Sequence, residues 1–280
     1  MLIKPALLLR RVFGFLVAAY FFFFAANDAY PMPYLVLDND GAQAFPKRFR
    51  ILKNNGLRAI GSGQFTHAQL LRIKNQINAP IIVVDLRKES HGFVAGMPIS
   101  WFGFRNWANK NKLPDAVEEV QRKLLLDIKN KATIRVHTKL HKEFSGAIKP
   151  LETVWLQPRE VASEEELVRA LGLRYKRFYV TDHMAPDKLQ VQAFEDFIKT
   201  VPADTWLYFH CRGGSGRTST FMVLYEILRN GRKKTLEQIL KHQMQRGGKD
   251  LSQFPAANHY KYVPAIERFK LIKEFYLHHS

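Results

Sequence analysis

One stretch of nine residues, from His210 to Thr218, constrains this chain more than any other, and it contains the only cysteine among 280 residues. Its sequence is HCRGGSGRT. The apolar run 206–209 before it predicts a buried strand, and apolar residues at helical spacing within 218–230 predict a helix after it. A glycine-rich loop between a strand and a helix can turn its backbone N–H groups inward, and the helix N-terminus adds partial positive charge. The stretch therefore predicts a backbone cradle for an anion.

Cys211 and Arg217 give this cradle a nucleophile and a clamp. A thiol becomes a strong nucleophile when N–H donors and a helix N-terminus depress its pKa. A guanidinium can hold two oxygens of a phosphate into the transition state, and the hydroxyl of Thr218 can donate to the sulfur or to the leaving group of a second step. The alternative is a buried structural cysteine beside a glycine turn. The spacing favours a cysteine-dependent phosphatase.

The pattern His-Cys-x5-Arg-Thr resembles the signature loop of protein-tyrosine-phosphatase-like enzymes. By this resemblance His210, Cys211, Arg217 and Thr218 are catalytic, and the residues between them bind phosphoryl oxygens. Those residues are Arg212, Gly213, Gly214, Ser215 and Gly216. The motif alone does not choose among tyrosine, dual-specificity, lipid and inositol-phosphate phosphatases. Many relatives carry an acidic residue where this chain has Arg212, which makes the cradle more basic and bears on which phosphate is attacked first.

A second stretch of the sequence narrows the choice among these classes of phosphatase. The apolar run 81–84 predicts a buried parallel strand, and DLRKESHGF follows it at 85–93, with NWAN at 106–109. These segments resemble the protein-tyrosine-phosphatase-like phytases, the cysteine phytases of bacteria. The resemblance implies that His91 contributes to the inositol-phosphate pocket and that Arg50 contacts substrate. The alternative for the charged residues of the stretch is a structural ion-pair network. These residues are Asp85, Arg87 and Glu89.

A third stretch supplies the proton donor that a cysteine phosphatase needs for its leaving alkoxide. The predicted strand 175–180 leads to Thr-Asp-His-x-x-Pro, which is the phytase version of an acid loop. Asp182 is the predicted general acid, and His183 assists it or orients substrate; the alternative is that Asp182 caps a turn. In the family, basic residues near the C-terminus contact peripheral phosphates, which indicates Lys261 and Lys270.

The resemblance implies an α/β fold: a phosphatase-like central sheet flanked by helices, with a small partial β-barrel insertion around 113–155. The composition, 46% hydrophobic and 24% charged, suits one globular domain over residues 31–280. A net charge of +18 predicts an anionic partner. Without a long basic run or a zinc-ligand spacing, a polyanionic small molecule is favoured over nucleic acid.

The N-terminus predicts export. Lys4, Arg10 and Arg11 precede an apolar run over 12–26, which is the layout of a secretory signal peptide and is short for a membrane span. We therefore expect residues 1–30 to be a signal peptide and the mature protein to be periplasmic or secreted, without stable membrane insertion. An uncleaved anchor is the alternative.

The residues predict a phosphatase that acts through a phosphocysteine, with neither a metal nor another cofactor, and the resemblance implies that its substrates are myo-inositol polyphosphates. The alternative within this chemistry is a protein-tyrosine, dual-specificity or phosphoinositide phosphatase. The alternative outside it is a catalytically silent phosphate-binding module, against which the three intact residues Cys211, Arg217 and Asp182 argue.

Overall fold

The computed structural model of the protein describes residues 32–54 and 56–280. The predicted signal peptide, residues 1–30, lies outside the described residues, so it stays a prediction. Residues 33–280 form one compact unit. Within the described ranges, no helix is both long and apolar enough to cross a membrane.

Ten strands and seven α-helices are found in the described part of the chain. The strands are β1 (Tyr34–Leu37), β2 (Arg50–Leu52), β3 (Ala59–Ser62), β4 (Ile81–Asp85), β5 (His91–Val94), β6 (Met97–Phe102), β7 (Ile134–Lys142), β8 (Ile148–Leu156), β9 (Arg174–Arg177) and β10 (Trp206–His210). The helices are α1 (His67–Ile77), α2 (Pro114–Lys129), α3 (Glu164–Ala170), α4 (Lys188–Thr200), α5 (Gly216–Asn230), α6 (Leu236–Gln245) and α7 (Tyr262–His279).

The sheet that positions the cysteine loop has the strand order β2-β3-β10-β4-β9. β10 lies at its centre and runs parallel to β3 and β4, and β9 runs parallel to β4. Every residue of β4 and β10 is buried, as their continuous apolar runs predict. Because the carboxyl ends of parallel strands meet at one edge, the segments that follow β3, β4, β9 and β10 converge there, where α/β sheets bind ligands.

The second sheet has the order β5-β6-β1-β7-β8. The segment 113–155, predicted to form a partial β-barrel insertion, supplies only α2, β7 and most of β8 to this region. β7 pairs in parallel with β1, and β6 pairs antiparallel with β1, so the sheet combines three separate parts of the chain. The α/β architecture of sheets flanked by helices is confirmed, whereas the partial barrel is not confirmed.

Helix α5 anchors the cysteine loop in the core. Twelve of its fifteen residues are buried, because it packs against β10 and against α6 and α7. Aromatic rings join the layers: the Phe194 ring of α4 lies 5.0 Å from Phe221 of α5 and 6.1 Å from Phe209 of β10, centroid to centroid. A helix buried on most of its surface holds its N-terminus in place, and the cysteine loop ends at that N-terminus.

The sequence signals for the start and end of helix α3 agree with its observed bounds. The capping box at Ser163 is confirmed: its hydroxyl accepts from the Glu166 N–H, and the Glu166 carboxylate accepts from the Ser163 N–H. Helix α3 is followed by Gly172 with φ of +71°. The predicted strand 175–180 ends sooner, at Arg177, because the chain turns away from β4 to form the acid loop.

Candidate active site

Cys211 follows β10 directly and is 4% exposed at the bottom of the loop 211–215. The Thr218 hydroxyl donates to its sulfur at 3.2 Å, as the sequence predicts. The sulfur lies between β10 and the N-terminus of α5, where a bound phosphate would also lie. The geometry thus places a sulfur nucleophile at the anion cradle.

The carbonyl groups of the loop are held from outside. Arg48 donates to the Gly213 carbonyl at 2.8 Å, and Arg50 donates to the Gly214 carbonyl at 3.0 Å. Within the described residues, the N–H groups of 213–215 have no protein acceptor. Because the two arginines bind the carbonyl groups of the loop, its N–H groups remain available to an anion. This is the arrangement of an oxyanion cradle.

Gly214 has φ of +69°, and a Cβ there would lie 2.3 Å from the Gly63 nitrogen and 2.4 Å from the Ser62 carbonyl carbon. Both atoms belong to the backbone around the end of β3, so the loop itself must move. We expect Gly214→Ala to lower the rate of phosphate release at least about 100-fold, because the cradle amides lose their position. The measurement is phosphate release under saturating substrate.

Gly213→Ala is the matched control for this prediction. Its φ is not in the positive range, and none of the described atoms lies within 4 Å of the added Cβ. Its loss of rate should be far smaller than that of Gly214→Ala. Equal losses in the two variants would mean that any methyl group in the loop is harmful and that close packing at Gly214 is not the cause.

Arg50 lies against the cysteine loop. It is buried, and besides the Gly214 carbonyl its guanidinium donates to the Ser219 hydroxyl at 3.2 Å. Burial lowers the pKa of Arg50 to about 10, and the nearby Cys211 acts against this shift. Its guanidinium also donates to the Arg48 carbonyl at 3.0 Å. Arg50 therefore supports the cysteine loop, and its predicted substrate contact stays a prediction.

Arg217 is clamped by Glu89 through two hydrogen bonds, Nη1 to Oε2 at 2.6 Å and Nη2 to Oε1 at 2.9 Å. Glu89 also accepts from Arg87, whose guanidinium reaches Asp38 at 2.9 Å. Burial alone would raise the pKa of Glu89, but Arg217 and Arg87 outweigh it and lower that pKa to about 2. Arg87 and Glu89 thus form ion pairs, as the alternative interpretation of 85–89 has it, and Glu89 holds the guanidinium of Arg217.

Asp182 lies in the loop between β9 and α4, with Oδ1 at 3.2 Å from the Arg217 guanidinium. Asn106 donates to its other carboxylate oxygen at 3.0 Å, and Trp107 donates to its backbone carbonyl at 2.8 Å. Burial alone would raise its pKa, but Arg217 and His183 hold it well below the usual range. The structure therefore places the predicted acid, Asp182, beside Arg217. Its carboxyl is ionised as long as no anion is bound to Arg217.

His183 lies beside Asp182, in a backbone conformation with φ of +68°. Its Nε2 is 3.5 Å from the Tyr260 hydroxyl, and its carbonyl accepts from Arg268 at 3.3 Å. Burial lowers the pKa of His183 to about 4, although Asp182 opposes the shift. The imidazole is neutral at neutral pH, and so it can orient a substrate oxygen by a hydrogen bond.

Of the two lysines predicted near the C-terminus, only Lys261 lies at this site. It is half-buried, and burial lowers its pKa while Asp182 raises it. Lys270 is exposed, and its ammonium has Glu274 at 3.8 Å. Sequence reasoning missed Arg268, two residues earlier on α7, which is buried, close to Gly216, and acts electrostatically on Cys211. Two residues correspond to about 200° around a helix, so Lys270 faces the opposite side.

Two predicted histidines lie behind the site. His210 is fully buried, and its Nε2 is 2.6 Å from Glu164. His91 is 1% exposed, with Nε2 at 3.3 Å from Asp85 and 3.4 Å from Glu164. Arg177 and Gln64 complete the surroundings of the two carboxylates. His91 thus lies in an interior cluster of charged groups, and its predicted contribution to the inositol-phosphate pocket stays a prediction.

A protein-family model named PTPlike_phytase, with the description "Inositol hexakisphosphate", matches residues 84–229. Among solved structures, a PTP-like phytase from Bdellovibrio bacteriovorus is 32% identical with a TM-score of 0.71, and the match covers 90% of this chain and 92% of that one. A PTP-like myo-inositol phosphatase from Mitsuokella multacida, in complex with myo-inositol-(1,3,4,5)-tetrakisphosphate, is 27% identical with a TM-score of 0.80 over 90% of this chain and 46% of that one.

A curated relative, the effector protein hopD2 of Pseudomonas syringae pv. tomato (strain ATCC BAA-871 / DC3000), is 32% identical over 162 residues. That match covers 58% of this chain and 34% of the relative. The chain thus spans about a third of this curated relative and just under half of the Mitsuokella chain.

Proposed function

This chain belongs to the protein-tyrosine-phosphatase-like phytase family, and we propose that it hydrolyses phosphate monoesters of myo-inositol polyphosphates through a phosphocysteine intermediate. One observation carries the proposal. The buried Cys211, the clamped Arg217 and the acid Asp182 meet at the end of the loop, with Asp182 at 3.2 Å from Arg217. These are the three groups that such a reaction needs.

In the first step the Cys211 thiolate attacks phosphorus, and the bond between phosphorus and the inositol oxygen breaks. The loop N–H groups and Arg217 bind the phosphoryl oxygens, whose charge they stabilise in the transition state. Binding of the phosphate to Arg217 takes that cation away from Asp182, which raises the carboxyl pKa and lets Asp182 carry a proton. Asp182 then gives that proton to the leaving inositol oxygen.

In the second step water attacks the phosphorus of phosphocysteine, and the bond between phosphorus and sulfur breaks. Asp182, now a carboxylate, takes a proton from the water. The Thr218 hydroxyl at 3.2 Å from sulfur stabilises the departing thiolate. Inorganic phosphate leaves, Arg217 again pairs with Asp182, and the carboxyl releases to solvent the proton that it took from water, so the enzyme returns to its starting state.

The charge around the site supports a polyanionic substrate over a phosphoprotein. Arg212, Lys142, Lys261 and Arg268 interact electrostatically with one another or with Asp182. Cations clustered at the mouth of a cleft raise the local concentration of a substrate with several phosphates. A single phosphotyrosine does not neutralise such a cluster. We expect no nucleic-acid partner.

The test is phosphate release by residues 31–280 from inositol hexakisphosphate, from a phosphotyrosine peptide and from a short-chain phosphoinositide. We expect inositol hexakisphosphate to give the highest kcat/KM, unaffected by a chelator. Release of phosphate from the peptide or the lipid alone would support the phosphocysteine mechanism but contradict the proposed substrate class. Tight binding of inositol hexakisphosphate without release of phosphate would favour the phosphate-binding module.

We also propose that residues 1–30 direct export and are removed, so that the mature protein is periplasmic or secreted. The basic start and the apolar run 12–26 support this. The test is expression of the full chain in a bacterium, followed by cell fractionation and N-terminal mass determination. Full-length protein in the membrane fraction would favour the uncleaved anchor.

A further inference from the structure

A short 3₁₀ helix, Phe104–Asn106, lies against the acid loop. Two consecutive residues in it, Arg105 and Asn106, have φ of +53° and +64°. Left-handed backbone is unfavourable for residues other than glycine, although asparagine tolerates it better than most. Such a conformation persists only where its surroundings hold it, and it is common at functional sites. The contacts of this 3₁₀ helix therefore bear on the function of the residues it presents.

The hairpin between β7 and β8 holds the 3₁₀ helix from outside. The Arg105 N–H donates to the Gly146 carbonyl at 3.0 Å, and the Arg105 guanidinium donates to the Ser145 carbonyl at 2.9 Å. The same guanidinium lies over the rings of Trp107 and Tyr260, at 5.1 Å and 4.8 Å from their centroids. Backbone hydrogen bonds and ring contacts together thus fix the position of the 3₁₀ helix.

Asn106 and Trp107 both donate to Asp182. The Asn106 amide donates to carboxylate Oδ2 at 3.0 Å, and the Trp107 indole N–H donates to the backbone carbonyl of Asp182 at 2.8 Å. The other carboxylate oxygen, Oδ1, accepts from the His183 N–H at 2.9 Å and lies 3.2 Å from Arg217. The bond from Asn106 to Oδ2 thus keeps Oδ1 turned toward the guanidinium that binds phosphate.

The Asn106 side chain makes no other hydrogen bond within the described part of the chain. It is 3% exposed, and its amide oxygen is buried without a donor. A buried polar atom without a partner costs stability. Stability of the 3₁₀ helix therefore does not explain an asparagine at this position, whereas the bond to Asp182 does.

We propose that Asn106 is a positioning residue for the general acid: its amide orients the Asp182 carboxyl toward the phosphate site and stabilises the carboxylate that forms when the proton is given up. This proposal rests on the proposed function, because it assigns what holds the acid of that reaction. Burial raises the pKa of Asp182, and Arg217, His183 and the bond from Asn106 lower it. Asn106 thus assists release of the proton to the leaving oxygen.

The charged and titratable groups that act on Asp182, or on which it acts, come from several elements. Within the described residues they are Arg217, Arg212, His183, Glu89, Lys142, Tyr260, Lys261 and Arg268. A substitution of Asn106 leaves all of these side chains in the protein. A change in pH dependence after such a substitution therefore reports on the amide itself.

The test compares two substitutions of Asn106 with one control. Asn106→Gly removes the amide and keeps the left-handed backbone, which glycine adopts freely. Asn106→Asp keeps the size of the side chain but replaces the donor by a second carboxylate. The control is Asn109→Ala, since Asn109 is also buried but its amide donates to the Lys88 carbonyl and the Ser90 hydroxyl. The measurement is the pH profile of kcat for inositol hexakisphosphate, and unfolding midpoints verify that each variant folds.

We expect Asn106→Gly to lower kcat at the pH optimum about 10-fold and to move its basic limb to higher pH, because the Asp182 carboxylate loses a donor. Asn106→Asp should move that limb further, since it also adds a like charge. With p-nitrophenyl phosphate the loss of rate should be smaller, because its leaving group departs without a proton. Asn109→Ala should keep the wild-type basic limb, whatever its effect on the rate.

A basic limb at the wild-type pH in both Asn106 variants would overturn the proposal and leave Asn106 with a packing role alone. An equal shift of the limb in Asn109→Ala would also overturn it, because the shift would then follow any disturbance of this segment.

Failure of the proposed function looks different, because the wild-type protein then releases no phosphate from inositol hexakisphosphate. The acid can still be followed without turnover, by NMR titration of the Asp182 carboxyl carbon in the Cys211→Ser background with sulfate bound. Asp182→Asn assigns the signal. A higher pKa of Asp182 after Asn106→Gly supports the positioning role, and an unchanged pKa contradicts it.

Discussion

Replacing Cys211 by serine is expected to reduce phosphate release at least about 10⁴-fold, because an alcohol at this position is not ionised and is a far poorer nucleophile than a thiolate. Cys211 is the only cysteine in the chain, so no other thiol can substitute for it. The assay is phosphate release from inositol hexakisphosphate under single-turnover and steady-state conditions. Binding of substrate should persist, since the cradle and Arg217 remain.

The single cysteine also supplies an independent readout. Iodoacetate should label the wild-type protein once, at the sulfur that accepts a hydrogen bond from Thr218. Inorganic phosphate should protect against labelling, and Cys211→Ser should not be labelled. Residual turnover above about 1% of wild type would mean that a group other than the thiolate attacks phosphorus.

The nucleophile loop could be predicted from sequence because all its determinants are consecutive. The apolar strand, the glycine turn and the helix adjoin one another, and their order alone places the sulfur at a helix N-terminus. The same holds for the acid loop, where the strand before Asp182 and the helix after it are both visible in the residue pattern. Where all the determinants of a loop are consecutive in sequence, the order of the elements is enough to predict its position.

The supports of the site could not be predicted in this way. Asp38 and Arg212 are 174 positions apart, and Arg50 and Gly214 are 164 apart, so only the folded sheets bring them together. Whether a charged residue faces the cleft or the core depends on the strand to which it belongs and on its neighbours. His91 shows this, since its buried carboxylate partners, and not its place in the motif, determine its environment.

The same reasoning explains the error at the C-terminus. Helix α7 has a weak apolar periodicity in sequence, so its inward side is not evident, and both Arg268 and Lys270 are basic. Only packing against α5 decides that Arg268 points to the loop and Lys270 to solvent. For Lys270 the sequence predicted the right helix but not the side of the helix on which it lies, whereas Lys261 lies at the site.

Replacing Asp182 by asparagine is expected to lower kcat for inositol hexakisphosphate about 10² to 10³-fold, because the leaving inositol oxygen then departs without a proton. An amide keeps the hydrogen-bonding shape but carries no transferable proton. A substrate with an acidic leaving group, such as p-nitrophenyl phosphate, should lose much less. Asp187→Asn is the matched control: Asp187 caps helix α4 in the same loop, and asparagine caps a helix equally well.

The pH dependence of Asp182 provides the sharper test. In the free protein Arg217 holds the Asp182 pKa low, and a bound phosphate removes that influence and adds negative charge, so the pKa rises in the complex. The proton needed for catalysis is lost above the pKa, and therefore the basic limb of kcat should lie at higher pH than that of kcat/KM. Asp182→Asn should abolish that limb in kcat, whereas Asp187→Asn should retain it. The kcat profiles of wild type and variant are measured with the same substrate, so ionisations of the substrate affect both alike. If Asp182→Asn kept the wild-type basic limb, another group would supply the proton.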